Sequence, residues 1–394
     1  MSQDRNGHVK IKVLFQGIDS LHHYYVVLPK YIEALNKGIK VDVLAPHLLE
    51  IPKVLHFALK RFSRFPRLAS LIQSALIPQK IESLAETMAR VQASKYHIVH
   101  LNEPFINSAK MITFNAPKTP KILTFHDPKI INYHGGKVTE LKHIAQKTAA
   151  TVVPSVWLKN LFYEKVGLIP LVIHHCIDLA IFNPFMKKSA AKNFLGMSRI
   201  KKIILWNGRL DPDKDPATMI DTIELLVKEC KEVGFILKYR INYYEPNYTV
   251  RVLKNLKKLR RSLKNRLKLF HNMPLHKLPI LYRASDVYFT TSPLESFSLA
   301  TAEAMACGLP VVVPDSSAFP EVVGDAGLYC KVGDARGFAE NILRVLSEEK
   351  LVKYLSHKSL NRVIHNFHPT KISKQYVNLY KAILGCDGVL ECRS

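Results

Sequence analysis

Two doubly wound α/β domains are the architecture this sequence predicts, and three observations lead there. The chain has 394 residues, beyond the length at which a single hydrophobic core keeps growing. Short apolar, β-rich runs alternate with helical segments, the pattern of strands buried on both faces of parallel sheets. That alternation fills the first half, lapses, and restarts in the second.

In the first half, residues 9–15, 41–45, 98–101, 122–125, 150–153 and 171–174 read as buried parallel strands. In the second, residues 203–206, 235–240, 267–270, 287–290 and 310–313 do the same. Between the halves, residues 175–200 contain Asn183, Pro184 and a basic, alanine-rich stretch, which suits a hinge region. Ligands of such sheets bind beyond the carboxyl ends of the strands, so residues just after each strand are the candidates for a site.

Composition narrows the partners. Hydrophobic residues make up 47% of the chain, an ordinary globular value. No apolar run is long enough to cross a bilayer and the start is polar, so a cytoplasmic protein is expected. Six scattered cysteines, without a CysXaaXaaCys pair, point to reduced thiols and no zinc site. Lysine and arginine number 57 against 32 acids, a net charge of +25. That balance implies an anionic partner: nucleic acid, membrane or phosphorylated substrate.

The charge is concentrated. Residues 251–268 carry nine cations and no acid, with Leu253, Leu256, Leu259, Leu263 and Leu267 at helical spacing on the other face. This reads as an ordinary domain helix with a solvated basic face. It has no interleaved aromatic residue, which argues against single-stranded nucleic acid as the partner. Residues 53–68 repeat the pattern, with Lys53, Lys60, Arg61, Arg64 and Arg67 opposite a face that includes Phe62 and Phe65. Bulky phenylalanines make this segment the membrane-surface candidate.

The chemistry centres on residues 293–310, where Glu295 and Glu303 are separated by seven residues. Ser298 stands at the N-cap of a helix over 300–306, Gly308 at its C′ position, and Pro310 prevents continuation. A helix N-terminus suits phosphate, while acceptor-only carboxylates suit sugar hydroxyls. Together they fit a nucleotide sugar. After the strand 203–206, Arg209 and Lys214 are expected in the loop entering the next helix, as a fork and a point charge for a diphosphate.

Other strand ends offer less specific signals. His126 follows the strand 122–125 and can donate a hydrogen bond to a sugar, with Asp127 orienting it. Gly17, after the first strand, permits close approach of backbone to phosphate. Asp211 and Asp213 read as loop chemistry beside Arg209 and Lys214, not as metal ligands, and no metal is expected. Paired glutamates also occur in glycoside hydrolysis, but cations for a phosphate leaving group remove the need for a general acid.

Over nearly its whole length the chain resembles the retaining glycosyltransferases of family 4, or group 1, which have the two-Rossmann GT-B fold. TrpAsnGlyArgLeuAspProAspLysAspPro (206–216) resembles the family's GlyArgLeu…Lys loop, and residues 283–312 resemble its signature. The segments 325–334 and 174–184 resemble the stretches that follow the signature and join the domains.

The resemblance implies an N-terminal acceptor domain over 1–171 and a nucleotide-sugar donor domain over 172–368. The helix within 369–394 would then return to the first domain. By the same resemblance, Glu295 contacts the donor sugar, Glu303 the ribose, and Arg209 and Lys214 the diphosphate, with backbone N–H groups of Phe297, Ser298 and Leu299. His126 hydrogen-bonds the donor sugar, and Asn272 and Met273 lie near the base. No cofactor is implied; the donor is an NDP-sugar, UDP or GDP first.

Departures from the pattern lie at GlyIleAspSerLeuHisHis after the first strand, at His175 and Cys176, and at Asp215 after the lysine. The expectation is a metal-independent hexosyltransferase acting on a glycan or lipid-linked cell-envelope acceptor at the inner face of a membrane. Sugar phosphorylase or nucleotide-sugar epimerase is the alternative reading, and a basic nucleic-acid-binding protein a more distant one.

Overall fold

The computed structural model describes residues 11–16, 23–35, 38–44, 96–102, 118–133, 135–241, 245–271 and 273–385. Gly17, Asn272 and the segment 53–68, with Lys53, Lys60, Arg61, Arg64 and Arg67, lie outside the described residues. The chain divides into two units. One is drawn from Met1–Pro154, Lys159–Ile173 and Ile372–Ser394, the other from Ser155–Leu158 and His174–Lys371.

The first unit is built on a parallel sheet of β1 (Ile11–Gln16), β2 (Ile39–Leu44), β3 (Ile98–Leu101), β4 (Lys121–Thr124), β5 (Ala150–Val153) and β6 (Leu171–Val172). Their order is β2-β1-β3-β4-β5-β6. The central strands are buried along their length, β3 and β4 at every position. Strand register, from Val99 opposite Lys121 to Leu101 opposite Leu123, leaves His126 just beyond the carboxyl end of β4.

The helix Pro369–Ile383 supplies a polar tie within this unit. His100, fully buried on β3, has its Nδ1 2.8 Å from the Tyr380 hydroxyl and its Nε2 2.6 Å from Thr124 Oγ1. Tyr376 packs its ring 5.1 Å from the same imidazole. Burial, aided by the nearby His126, pushes the His100 pKa down to about 3, so the ring stays neutral.

The second unit carries the other sheet: β7 (Lys202–Arg209), β8 (Val233–Arg240), β9 (Leu267–His271), β10 (Val287–Phe289), β11 (Val311–Pro314) and β12 (Gly327–Cys330). Strand order is β12-β11-β10-β7-β8-β9, all parallel. Counted from β7 this is the 3-2-1-4-5-6 order of dinucleotide-binding domains, with its reversal between β7 and β10. The edge strand β12 was not foreseen, because GlyLeuTyrCys lacks the β-branched run that marks its neighbours.

Alternation along the strands splits the core in two. Ile203, Leu205 and Ile236 face the helices Leu278–Ala284 and Leu299–Ala306. Ile204, Trp206, Phe235 and Leu237 face the helices Pro216–Glu229, Pro246–Leu263 and Ala335–Ser347. The predicted basic helix is the second of these. It buries Val252, Leu256, Leu259 and Leu263 and exposes Arg251, Lys254, Lys257, Lys258, Arg260 and Arg261. It stops at Leu263, since Lys264 turns to φ +50°, and Leu267 and Lys268 begin β9 instead.

The stretch 175–200 is not a free hinge. Ile177, Phe182, Ala191, Leu195 and Met197 are buried in the core of the second unit, and the helix Lys188–Phe194 lies within it. The chain passes between the units at 154–155, 158–159, 173–174 and 371–372. Among the described residues, no helix is long and apolar enough to cross a membrane, and Cys176, Cys230, Cys307 and Cys330 are free thiols.

Two predictions follow from these packings. The folded pKa of His100, about 3, lies below its ordinary 6.5, so the unfolded chain takes up a proton that the folded unit refuses. Its contribution is complete above about pH 6.5 and is lost toward pH 3, at about 1.4 kcal/mol per pH unit. Denaturant unfolding of wild type and His100→Gln at about pH 6 and 4.5 should show a smaller drop in the variant. Separately, a Cβ on Gly208 would stand 2.7 Å from Cη2 and Cζ2 of Trp206. Gly208→Ala should cost about 1–3 kcal/mol by overpacking, read as a lower melting temperature.

Candidate active site

Reversal of strand order between β7 and β10 sends the chain away from the two strand ends in opposite directions, which opens a crevice. The ends are held in register, Ile204 opposite Val287 and Trp206 opposite Phe289. Asp286 reinforces the pairing: its N–H donates to Ile203 O at 2.7 Å and its Oδ2 accepts from Ile203 N at 2.8 Å. This locates the AlaSerAsp of the signature as a clamp between the strands that border the crevice.

Arg209 is the last residue of β7 itself, one step earlier than the loop position expected for it. Its Nε donates to Asp211 Oδ2 at 2.6 Å and its Nη2 reaches Asp213 Oδ2 at 3.5 Å. Asp211 and Asp213 therefore hold the guanidinium, in keeping with loop chemistry. A single 3-10 turn, Pro212–Lys214, follows, and Asp215 in the left-handed region, φ 43°, caps the next helix by accepting from Thr218 N at 3.1 Å. An asparagine or aspartate tolerates that conformation, which accounts for Asp215 where the family has glycine.

The loop after β10 locks onto this turn. Thr291 Oγ1 donates to the carbonyls of Lys214 and Asp215 at 2.9 and 2.8 Å, and Ser292 Oγ to that of Asp213 at 2.8 Å. Lys214 is thereby delivered to Glu295, with which it forms a short ion pair, both side chains mostly shielded from solvent. Glu295 itself is set by its backbone: its N–H donates to Ser317 Oγ at 3.1 Å and its carbonyl accepts from Ala318 N at 3.3 Å.

The helix observed is Leu299–Ala306. Ser298 occupies the N-cap position but does not cap: its φ is +68° and its hydroxyl lies 2.8 Å from Thr301 Oγ1. First-turn N–H groups have no carbonyl within their own helix, so the positive end is left to face the crevice. Phe297 is buried, edge-on to Phe367 at 5.0 Å and to His175 at 5.2 Å, and this anchors the helix start.

Glu303, one turn in, is 6% exposed. Its Oε2 accepts from the Tyr282 hydroxyl at 2.8 Å, and Tyr282 in turn accepts from Asn207 Nδ2 at 3.0 Å. Burial and then the Glu303 charge hold the Tyr282 phenol well above its usual pKa, so it remains a donor. Asn207 and Tyr282 were missed in the sequence. Their signal was positional: Asn207 precedes the GlyArgLeu, and Tyr282 precedes the signature arginine.

Arg209, Lys214, Glu295, Phe297, Ser298, Leu299 and Glu303 thus lie together around one crevice of the second unit. Met273 lies beyond β9 in the same unit, half buried against the core that holds the helix Leu299–Ala306. His126 belongs to the first unit. Asp127 does not orient it: Asp127 Oδ1 accepts from Lys129 N at 3.0 Å, at the start of the helix Pro128–Tyr133.

Also missed was Glu321. Both its oxygens accept from Val156 N, at 2.9 and 2.8 Å, Oε2 accepts from Trp157 N at 3.3 Å, and Oε1 lies 2.7 Å from His174 Nε2. Burial raises its pKa, but those hydrogen bonds outweigh it and keep the carboxyl below its ordinary range.

Residues 188–362, which hold every residue of the crevice, match the family of glycosyl transferases group 1. A phosphatidyl-myo-inositol mannosyltransferase of Mycolicibacterium smegmatis is 25% identical over 74% of this chain and 72% of its own length. An N-acetyl-alpha-D-glucosaminyl L-malate synthase of Bacillus anthracis is 36% identical, over 27% of this chain and 29% of that enzyme. The solved structure of Anabaena HepE with UDP and glucose shares the fold, with a TM-score of 0.74 at 17% identity, covering 94% of this chain and all, 100%, of that one. The group 1 match lies within the second unit, and over nearly its whole length the chain shares the GT-B fold of solved glycosyltransferases.

Proposed function

We propose that this enzyme moves a hexosyl group from a nucleoside-diphosphate sugar, with retention of anomeric configuration and without a metal. The observation that carries the reading is the meeting of two cations, a helix N-terminus and two carboxylates at one crevice. Arg209 and Lys214 bind the diphosphate with the N–H groups of Phe297, Ser298 and Leu299. Glu295 accepts from hydroxyls of the donor sugar, Glu303 from those of the ribose. Met273 and Asn272 border the base, for which UDP is favoured by the UDP carried by the HepE relative. The family resemblance adds two further roles to the proposal, a hydrogen bond from His126 to the sugar and a phosphate contact at Gly17.

The bond from the anomeric carbon to the β-phosphate oxygen breaks, and one to the acceptor oxygen forms on the same face. The acceptor proton passes to the departing phosphate oxygen, and nucleoside diphosphate leaves. Arg209 and Lys214 are already charged and positioned when that negative charge develops, so they stabilise it without reorganising. Asp213 holds Arg209 through a contact of only 3.5 Å, one a phosphate oxygen displaces at small cost.

The acceptor proposed is a glycan or lipid-linked intermediate, and the protein a peripheral one at the inner face of a membrane. The +25 charge supports this, as does the relative named for phosphatidyl-myo-inositol. Lys53, Lys60, Arg61, Arg64 and Arg67 supply the contact.

Glu295→Ala and Lys214→Ala should each reduce sugar transfer by about 100-fold or more, with melting temperatures close to wild type. Near-normal turnover in either would remove the roles given. UDP or GDP should raise the melting temperature once above its dissociation constant. Vesicles rich in anionic lipid should bind the protein at low salt and release it as salt rises, and Lys60→Glu with Arg64→Glu should weaken that binding. Vesicle binding that is absent, or untouched by the double change, refutes the membrane contact alone.

A further inference from the structure

Arg209 and Lys214 account for the diphosphate, but β8 brings further cations to the same edge of the sheet. In the parallel pair of β7 and β8, Asn207 stands opposite Lys238 and Arg209 opposite Arg240. Side chains at paired positions share a face of the sheet. For Lys238 that face is the one under the helix Leu299–Ala306, because Ile236, two residues earlier, packs in one core with Tyr282, Ala302 and Ala304. Asn207 verifies the direction, since its amide reaches Tyr282 and through it Glu303.

Lys238 is half buried there, with Phe270 of β9 opposite it on the far side. Burial lowers the pKa of its ammonium, the Glu303 carboxylate pulls it back up, and Arg240 lowers it again. Glu303 and Lys238 are thus electrostatic partners on a face where water is scarce. A buried carboxylate with no positive neighbour takes up a proton, and a protonated carboxyl loses acceptor capacity. Two vicinal hydroxyls need an acceptor-only group to receive both their protons.

We propose that Lys238 supports nucleoside recognition as a positioning residue, its charge on the shared face of the sheet favouring an ionised Glu303 that Tyr282 orients, so that Glu303 accepts from both ribose hydroxyls and favours ribo- over deoxyribonucleotides. This rests on the donor reading given above, with Glu303 as the ribose group. Lys238 does not touch the reacting atoms, and its effect is confined to the nucleoside end of the donor.

Calorimetric titration of the 394-residue chain with UDP, GDP and their 2′-deoxy counterparts tests it. Wild type should prefer the ribonucleotide by about tenfold or more, the scale of a hydrogen bond to a charged group. Lys238→Met should cut that preference to within about threefold while leaving affinity for the deoxynucleotide nearly unchanged, and Lys238→Arg should restore it. Lys238→Gln serves if the methionine variant melts early.

A preference that survives in the folded Met and Gln variants overturns the role of Lys238 and leaves the donor site standing. Equal loss of ribo- and deoxyribonucleotide affinity overturns it as well, in favour of a direct phosphate contact. Wild type that binds the nucleotides without preference overturns the ribose role of Glu303 and Lys238 together. Failure of wild type to bind UDP or GDP overturns the donor reading itself.

Discussion

Everything at the active site depends on the reversal of strand order between β7 and β10. A parallel sheet wound one way throughout would carry every connecting helix past every strand end. Reversal leaves two adjacent ends without a crossing connection. Lys214 and Glu295 come from opposite sides of that gap, and they meet only because Thr291 and Ser292 tie the loop after β10 to the carbonyls of Asp213, Lys214 and Asp215. The hydroxyls are small and fully buried. They convert two independent loops into one floor.

Charge at this floor is balanced locally although the chain as a whole is not. Each cation at the crevice is paired with acid, Arg209 with Asp211 and Asp213, and Lys214 with Glu295. A crevice with unopposed cations would attract any polyanion. Paired cations hold a ligand well only if it replaces a carboxylate contact with a better one. The exposed basic face of the helix Pro246–Leu263 has no such counter-acids in its sequence, and its field is free to act at longer range.

The fold was legible because strands buried on both faces must be apolar along their length. Residues such as Ile203, Ile204, Leu205 and Trp206 advertise that environment. Boundaries were less legible: β7 continues through Asn207, Gly208 and Arg209 because its register with β8 holds them, a tertiary cause without a local signal. Arg209, Lys214, Glu295 and Glu303 were legible as chemistry, since few settings need two cations and two carboxylates near a helix start. Tyr282 and Thr291 were not. A tyrosine in a short helix and a threonine after a strand are common core residues, and only the third dimension brings them to Glu303 and Lys214. Ser298 was read as a cap on type alone, whereas its left-handed backbone turns the hydroxyl to Thr301.

Glu321 carries a consequence for anyone who recombines enzymes of this kind. The second unit includes Ser155–Leu158 as well as His174–Lys371, and the carboxylate of Glu321 is what fastens the detached piece, through the amides of Val156 and Trp157. A chimaera spliced at residue 174 would graft this carboxylate onto a foreign helix start. Its natural seam is discontinuous, and four residues from the middle of the other half must travel with the graft for the joint to keep its own donor and acceptor.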